Sequence, residues 1–187
     1  MKTSDYRASI CVFCGSRPGD DPMFIRSAAS VGAWIATSGF RLVYGAGDIG
    51  MMGAVADAAR QSGGPTLGVI PIHLAKREIV GPCLPDCIVT EDMHERKKVM
   101  FMNSDAAVAL PGGPGTLDEL FEVLTWRQLG LHRKPVLLLN VNGFWDPLLT
   151  LINHQIRSGF ADRSFRTFLE DFDTESGLFE RLSGLGR

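Results

Sequence analysis

The stretch Leu110-Pro111-Gly112-Gly113-Pro114-Gly115-Thr116-Leu117-Asp118-Glu119 follows the apolar run Ala106 to Leu110 and leads into an apolar-periodic segment reaching about Leu129. It reads as strand, glycine turn and helix. Glycines behind a strand let the backbone approach a ligand closely, and the free N–H groups of the next helical turn point at an anion. Thr116 adds a hydroxyl for a phosphate oxygen. Glu119 does not fit an anion cradle, because a carboxylate repels phosphate and must face another part of the ligand. The combination points to chemistry on a phosphorylated small molecule.

Outward from this segment the same alternation repeats. Ser9 to Cys14, Arg41 to Tyr44, Thr66 to Ile70, Cys87 to Thr90 and Pro135 to Asn140 are short, mostly apolar runs of strand length, and Thr167 to Phe172 is a weaker one. Helical patterns lie between them, from Pro22 to about Thr37, Gly50 to Gln61, Glu91 to Asn103 and Trp145 to Ser158, with a last helix after Phe172. Pro71 to Pro85 is the longest irregular stretch. Apolar strands separated by helices predict an α/β fold: a Rossmann-like, doubly wound, mostly parallel sheet with helices on both faces. With 187 residues and no linker or repeat, one nucleotide-binding domain over residues 1–187 is expected.

Composition narrows the partners. A net charge of −2 and an isoelectric point near 6.1 give no electrostatic footprint for nucleic acid. No run approaches the roughly 20 apolar residues of a membrane span, and the polar start Met1 to Arg7 precedes no leader-like apolar stretch. A soluble cytoplasmic protein is expected. Of the four cysteines, Cys11 and Cys14 fall three apart on one strand, where side chains alternate between faces. They diverge rather than share a metal, and with Cys83 and Cys87 they read as reduced core or loop thiols. His73, His94, His132 and His154 show no ligand spacing, so no metal is expected, and no lysine can be singled out as a Schiff-base residue, so no cofactor is expected either.

Three strands end in glycine turns, at Gly15-Ser16, Gly45-Ala46-Gly47 and Gly112-Gly113. Loops that follow parallel strands share one edge of the sheet, where ligands bind. Gly45-Ala46-Gly47-Asp48-Ile49-Gly50 has the glycine spacing of a dinucleotide fingerprint, but the next strand ends in Pro71-Ile72-His73 without the ribose-binding carboxylate. A site of mononucleotide size fits better. Arg96-Lys97-Lys98 lies on the helix before the decisive strand, between Met93 and the apolar Val99-Met100. The run reads either as a solvated face or, for Arg96, as a guanidinium at a buried edge able to hold phosphate or ribose. Trp126 reads as core.

Beyond these readings, Cys11-Val12-Phe13-Cys14-Gly15-Ser16, Asp48-Ile49-Gly50-Met51-Met52-Gly53, Met93-His94-Glu95-Arg96-Lys97, the PGGPGTLDE segment and Thr125-Trp126-Arg127-Gln128-Leu129-Gly130 resemble the LOG ("lonely guy") family. Its members are cytokinin riboside 5′-monophosphate phosphoribohydrolases, often mislabelled lysine decarboxylases. The resemblance runs to about residue 160. It implies hydrolysis of the N-glycosidic bond of a purine nucleoside 5′-monophosphate to free base and ribose 5-phosphate, and it implies a homodimer. The family's catalytic pair maps onto Arg96 and Glu119. Its nucleotide contacts map onto Glu78, Lys97, Gly113, Pro114, Gly115, Thr116 and Thr125. Gly15, Ser16, Gly45, Gly112 and Asp118, from the glycine turns and the motif itself, complete the expected substrate-binding set. Ala46 stands where the family usually carries a third glycine, and Asp118 where glutamate is common. Two other readings remain at this stage: a non-catalytic carrier or sensor of a nucleotide-like cofactor, and a general AMP nucleosidase.

Overall fold

The apolar runs pair into one parallel sheet because the inner ones are buried on both faces and need helices on either side, while the outer runs Cys87–Thr90 and Glu170–Phe172 are only partly buried. In the computed structural model, which describes residues 6–75 and 86–185, the strands are β1 (Ser9–Phe13), β2 (Arg41–Tyr44), β3 (Thr66–Pro71), β4 (Cys87–Thr90), β5 (Ala106–Ala109), β6 (Val136–Leu139) and β7 (Glu170–Phe172). Their order is β4-β3-β2-β1-β5-β6-β7, and every neighbouring pair is parallel. The chain builds outward from β1 to β4, then crosses back to lay β5 on the other side of β1. That reversal makes the β1–β5 seam the switch point, where a crevice opens beyond the carboxyl ends of the strands.

The helices are α1 (Pro22–Thr37), α2 (Gly50–Gln61), α3 (Ile72–Ala75), α4 (Met93–Met102), α5 (Pro114–Gln128), α6 (Asp146–Arg157) and α7 (Glu175–Ser183). Strand alternation divides the core into two layers. Ile10, Val12 and Cys14 pack with α1, α2 and α7, while Cys11 and Phe13 pack with α4, α5 and α6. The cysteine pair therefore diverges as the period of two requires, and burial raises the pKa of both thiols.

The boundaries differ from expectation in three places. The Asp92 side chain accepts the Glu95 N–H at 2.8 Å, so α4 starts at Met93 rather than Glu91. Ile72–Ala75 forms one helical turn inside the stretch expected to be irregular. Residues 163–168 form a 3-10 turn, and only Glu170–Phe172 remains strand. The Arg166 guanidinium turns the chain there by donating to the Leu169 carbonyl at 2.6 Å and pairing with Asp171.

Candidate active site

The glycine turns meet at the switch point. Leu110 N–H donates to the Phe13 carbonyl at 2.9 Å, Gly15 N–H to the Pro111 carbonyl at 3.0 Å and Met52 N–H to the Gly15 carbonyl at 3.2 Å. These bonds stitch the ends of β1 and β5 to the start of α2 and frame a cavity of about 820 Å³. Gly15, Ser16, Gly45, Gly112, Gly113, Pro114, Gly115, Thr116, Asp118, Arg96 and Glu119 all line it. Eleven of the fourteen expected site residues thus share one cavity.

The start of α5 is arranged for an anion. Helices α1, α4 and α7 are capped by the side chains of Asp21, Asp92 and Thr174, whereas α5 begins at Pro114 behind Gly113 and, like α2 and α6, has no side-chain cap. The first N–H groups of a helix have no intrahelical partner, so those of Gly115 and Thr116 are left for a ligand. A β-carbon on Gly113 or Gly115 would meet nothing within 4 Å, so both face open space. At Gly112 the reverse holds, because a β-carbon there would stand 2.1 Å from Thr116 Oγ1 and 2.8 Å from the Gly15 nitrogen. Glycine is needed at 112 to bring the two loops together, and at 113 and 115 it leaves room for the ligand.

Glu119 lies one turn further along α5 and is only 7% exposed. Burial pushes its pKa up to about 7; Arg96 and Lys97 pull it down, and Asp118 and Glu122 repel it. It accepts no hydrogen bond from the described residues, so its carboxylate is left for the cavity. Arg96, also 7% exposed, is held from behind: its Nε donates to the Val69 carbonyl at 3.1 Å and Nη2 to the Gly45 carbonyl at 2.9 Å. The ends of β2 and β3 therefore fix the guanidinium while leaving donor capacity. Of the basic run, Arg96 and Lys97 are buried and Lys98 is exposed, so the solvated-face reading holds for Lys98 alone.

Gly45 controls the Arg96 pose, because a β-carbon there would stand 1.8 Å from Arg96 Nη2. The obstructing atom ends a flexible side chain, so Gly45→Ala costs the fold little but displaces the guanidinium. We expect it to lower kcat/KM about 100-fold, the scale of a misplacement near 1 Å, with the thermal midpoint shifted by only a few degrees. Unchanged kcat/KM would dissociate the Arg96 pose from turnover. Next to it, Ala46 adopts the left-handed conformation (φ 61°), which strains a residue carrying a β-carbon and is where the family usually places glycine.

Three expected contacts stand apart. The Lys97 ammonium pairs with Asp118 at 3.0 Å and Glu122 at 3.3 Å and does not line the cavity. Burial works against its charge, but the bonds to Asp118 and Glu122 prevail and raise its pKa. Thr125 is exposed on α5, two turns past Asp118 and outside the cavity lining. Glu78 lies outside the described residues, as does Cys83. Sequence reasoning missed Arg17, Asp20, Phe24 and Phe144, which also line the cavity. Arg17 was findable, since it directly follows Gly15-Ser16 at a strand end. Phe24 and Phe144 come from α1 and the loop before α6 and meet edge-to-face at 5.4 Å, a contact no local pattern announces. Trp126 packs edge-on against Phe101, as expected of a core residue.

Known proteins resemble this chain over most of its length. The family model described as "Possible lysine decarboxylase" matches residues 52–182. Cytokinin riboside 5′-monophosphate phosphoribohydrolase LOG7 of Arabidopsis thaliana is 48% identical over 92% of this chain and 80% of its own. LOG3 of the same plant, which bears the same activity name, is 42% identical over 97% of this chain and 84% of its own. Among solved structures, the molybdenum cofactor carrier protein of Chlamydomonas reinhardtii superposes with a TM-score of 0.71 over 94% of this chain and 95% of its own, at 22% identity, a likeness of fold alone. With nearly half its residues identical to LOG7 and the switch-point cavity built from the shared glycine motif, the chain belongs to the LOG family.

Proposed function

We propose that the chain hydrolyses the N-glycosidic bond of cytokinin riboside 5′-monophosphates, and of AMP, releasing the base and ribose 5-phosphate. The observation that carries this reading is the buried, hydrogen-bond-free Glu119 one helical turn from an uncapped, glycine-lined helix start. A carrier needs only the cradle, whereas this chain adds a desolvated carboxylate facing a fixed guanidinium. The chemistry uses both. The amides of α5 and Thr116 Oγ1 anchor the 5′-phosphate, and that binding positions the ribose. As the C1′–N bond breaks, its electrons leave with the base, and positive charge grows at C1′ in an oxocarbenium-like state. Glu119 in its ionised form stabilises that charge and takes a proton from the water that attacks C1′; the departing base takes up a proton from solvent, and Glu119 returns its own to solvent, so the cycle balances. Arg96 orients the ribose against this carboxylate. The described residues hold no group of three or more potential metal ligands.

The test is release of free base and ribose 5-phosphate from AMP and from isopentenyladenosine 5′-monophosphate by the purified protein. Release of neither, with tight nucleotide binding, overturns the hydrolase in favour of a carrier; equal release of both makes it a general nucleosidase. We further infer one cytoplasmic domain acting as a homodimer. Buried free thiols at Cys11 and Cys14 and the lack of any described helix able to span a membrane support the first. Met102, Leu129 and Leu131, each 67–70% exposed at the neighbouring ends of α4 and α5, support the second. A sedimenting species of monomer mass would contradict the dimer.

A further inference from the structure

The cradle is short of positive charge. Asp20, Asp118 and Glu119 line the cavity, so a phosphate dianion entering it meets carboxylates on several sides. Two nearby cations are already engaged: Lys97 with Asp118 and Glu122, and Arg96 with the carbonyls of Gly45 and Val69. Arg17 is different. It lines the cavity with Gly112, Gly113 and Thr116, its side chain is exposed, and it makes no hydrogen bond or ion pair with the described residues.

Its backbone, by contrast, is held tightly. A β-carbon on Gly15 would stand 3.2 Å from the Arg17 carbonyl oxygen, and one on Gly50, at φ +61°, 2.7 Å from the Arg17 nitrogen. The Gly15 N–H bond to the Pro111 carbonyl locks this loop to the one that leads into α5. A fixed main chain carrying an unengaged guanidinium beside an uncapped helix start is suited to a phosphate monoester, which accepts a planar, forked donor at two oxygens.

We propose that Arg17 is the cation that binds the substrate's 5′-phosphate and sets the preference for nucleotides over nucleosides. The proposal deepens the phosphoribohydrolase reading and rests on it for the identity of the substrate. Phosphate binding itself is measurable without turnover.

The experiment compares wild type, Arg17→Gln and Arg17→Lys with AMP, with adenosine, and with inorganic phosphate and ribose 5-phosphate as inhibitors and as calorimetric ligands. Arg17→Gln is expected to raise KM for AMP about 10- to 100-fold, the scale of one charge-assisted bond, with kcat within about twofold. Inhibition by inorganic phosphate should weaken by a similar factor, while any cleavage of adenosine stays unchanged. Arg17→Lys should recover part of the loss. Unaltered KM and unaltered phosphate inhibition in Arg17→Gln would overturn the proposal, as would an equal loss on adenosine. If the wild type releases no base, the phosphoribohydrolase reading fails, and weaker calorimetric binding of ribose 5-phosphate to Arg17→Gln than to wild type still decides the role of Arg17.

Discussion

Glu119→Gln is expected to lower kcat by about 100- to 10,000-fold while leaving the protein folded and able to bind ribose 5-phosphate. The scale is that of removing a positioned acid–base or charge-stabilising group. Glutamine keeps the shape of the side chain but can neither stabilise the C1′ cation nor take a proton from water. The stability effect has the opposite sign. The pKa of Glu119 is raised from 4.5 to about 7 chiefly by burial, so its charge is disfavoured in the folded state. Below the unfolded value the group is protonated in both states and costs nothing. As pH rises from there through about 7 the unfolded chain releases its proton first, and stability falls by about 3 kcal/mol in all. Glu119→Gln removes that loss, so the variant should melt above wild type at pH 8 and alike at pH 4. For the wild type, kcat should rise with pH around a midpoint near 7, because the ionised form does the work. A variant with unchanged kcat removes Glu119 from the chemistry, and a wild-type profile that falls across pH 7 assigns the work to the protonated acid.

What the sequence revealed, and what it withheld, follows from the range over which each signal acts. The strands and long helices were legible because continuous apolar runs and glycine punctuation are local, and parallel pairing leaves those runs no polar face. The convergence of three glycine turns was legible too, since every loop after a parallel strand emerges at the same edge. Thr167 and Phe168 were expected to open the last strand but instead close a 3-10 turn, which the reach of Arg166 to Leu169 and Asp171 holds in place. The aromatic wall of Phe24 and Phe144 was invisible for a different reason: two residues 120 apart in sequence meet only after the sheet has formed. Arg96 and Lys97 show the limit most clearly. They are adjacent and similarly charged, yet one faces the cavity and the other a pair of carboxylates, a difference set by the packing of α4 between β3 and α5.

That difference makes Lys97 the residue whose loss should damage the fold most directly. Its side chain is 7% exposed and bridges α4 to α5 through Asp118 and Glu122, the first of which neighbours Glu119. Glu122 is committed to this contact, since its second carboxylate oxygen is buried without a partner. Lys97→Met therefore leaves Glu122, whose side chain is 22% exposed but has one oxygen buried, without its cation, for which a loss of about 2 kcal/mol is expected, read from urea or thermal unfolding. Asp118 adds little to that figure because its side chain is 58% exposed and can turn to water. Adding Glu122→Leu to Lys97→Met should restore more than half the loss, because an apolar pair of similar bulk removes the uncompensated charge instead of leaving it. The two variants also separate packing from electrostatics at the site. Lys97 lowers the pKa of Glu119 and Glu122 raises it. The single variant should accordingly move the midpoint of the kcat profile upward from about 7, and the double variant should bring it back toward wild type. If Lys97 instead touched the nucleotide, Lys97→Met would raise KM, and Glu122→Leu would restore neither KM nor the pH midpoint.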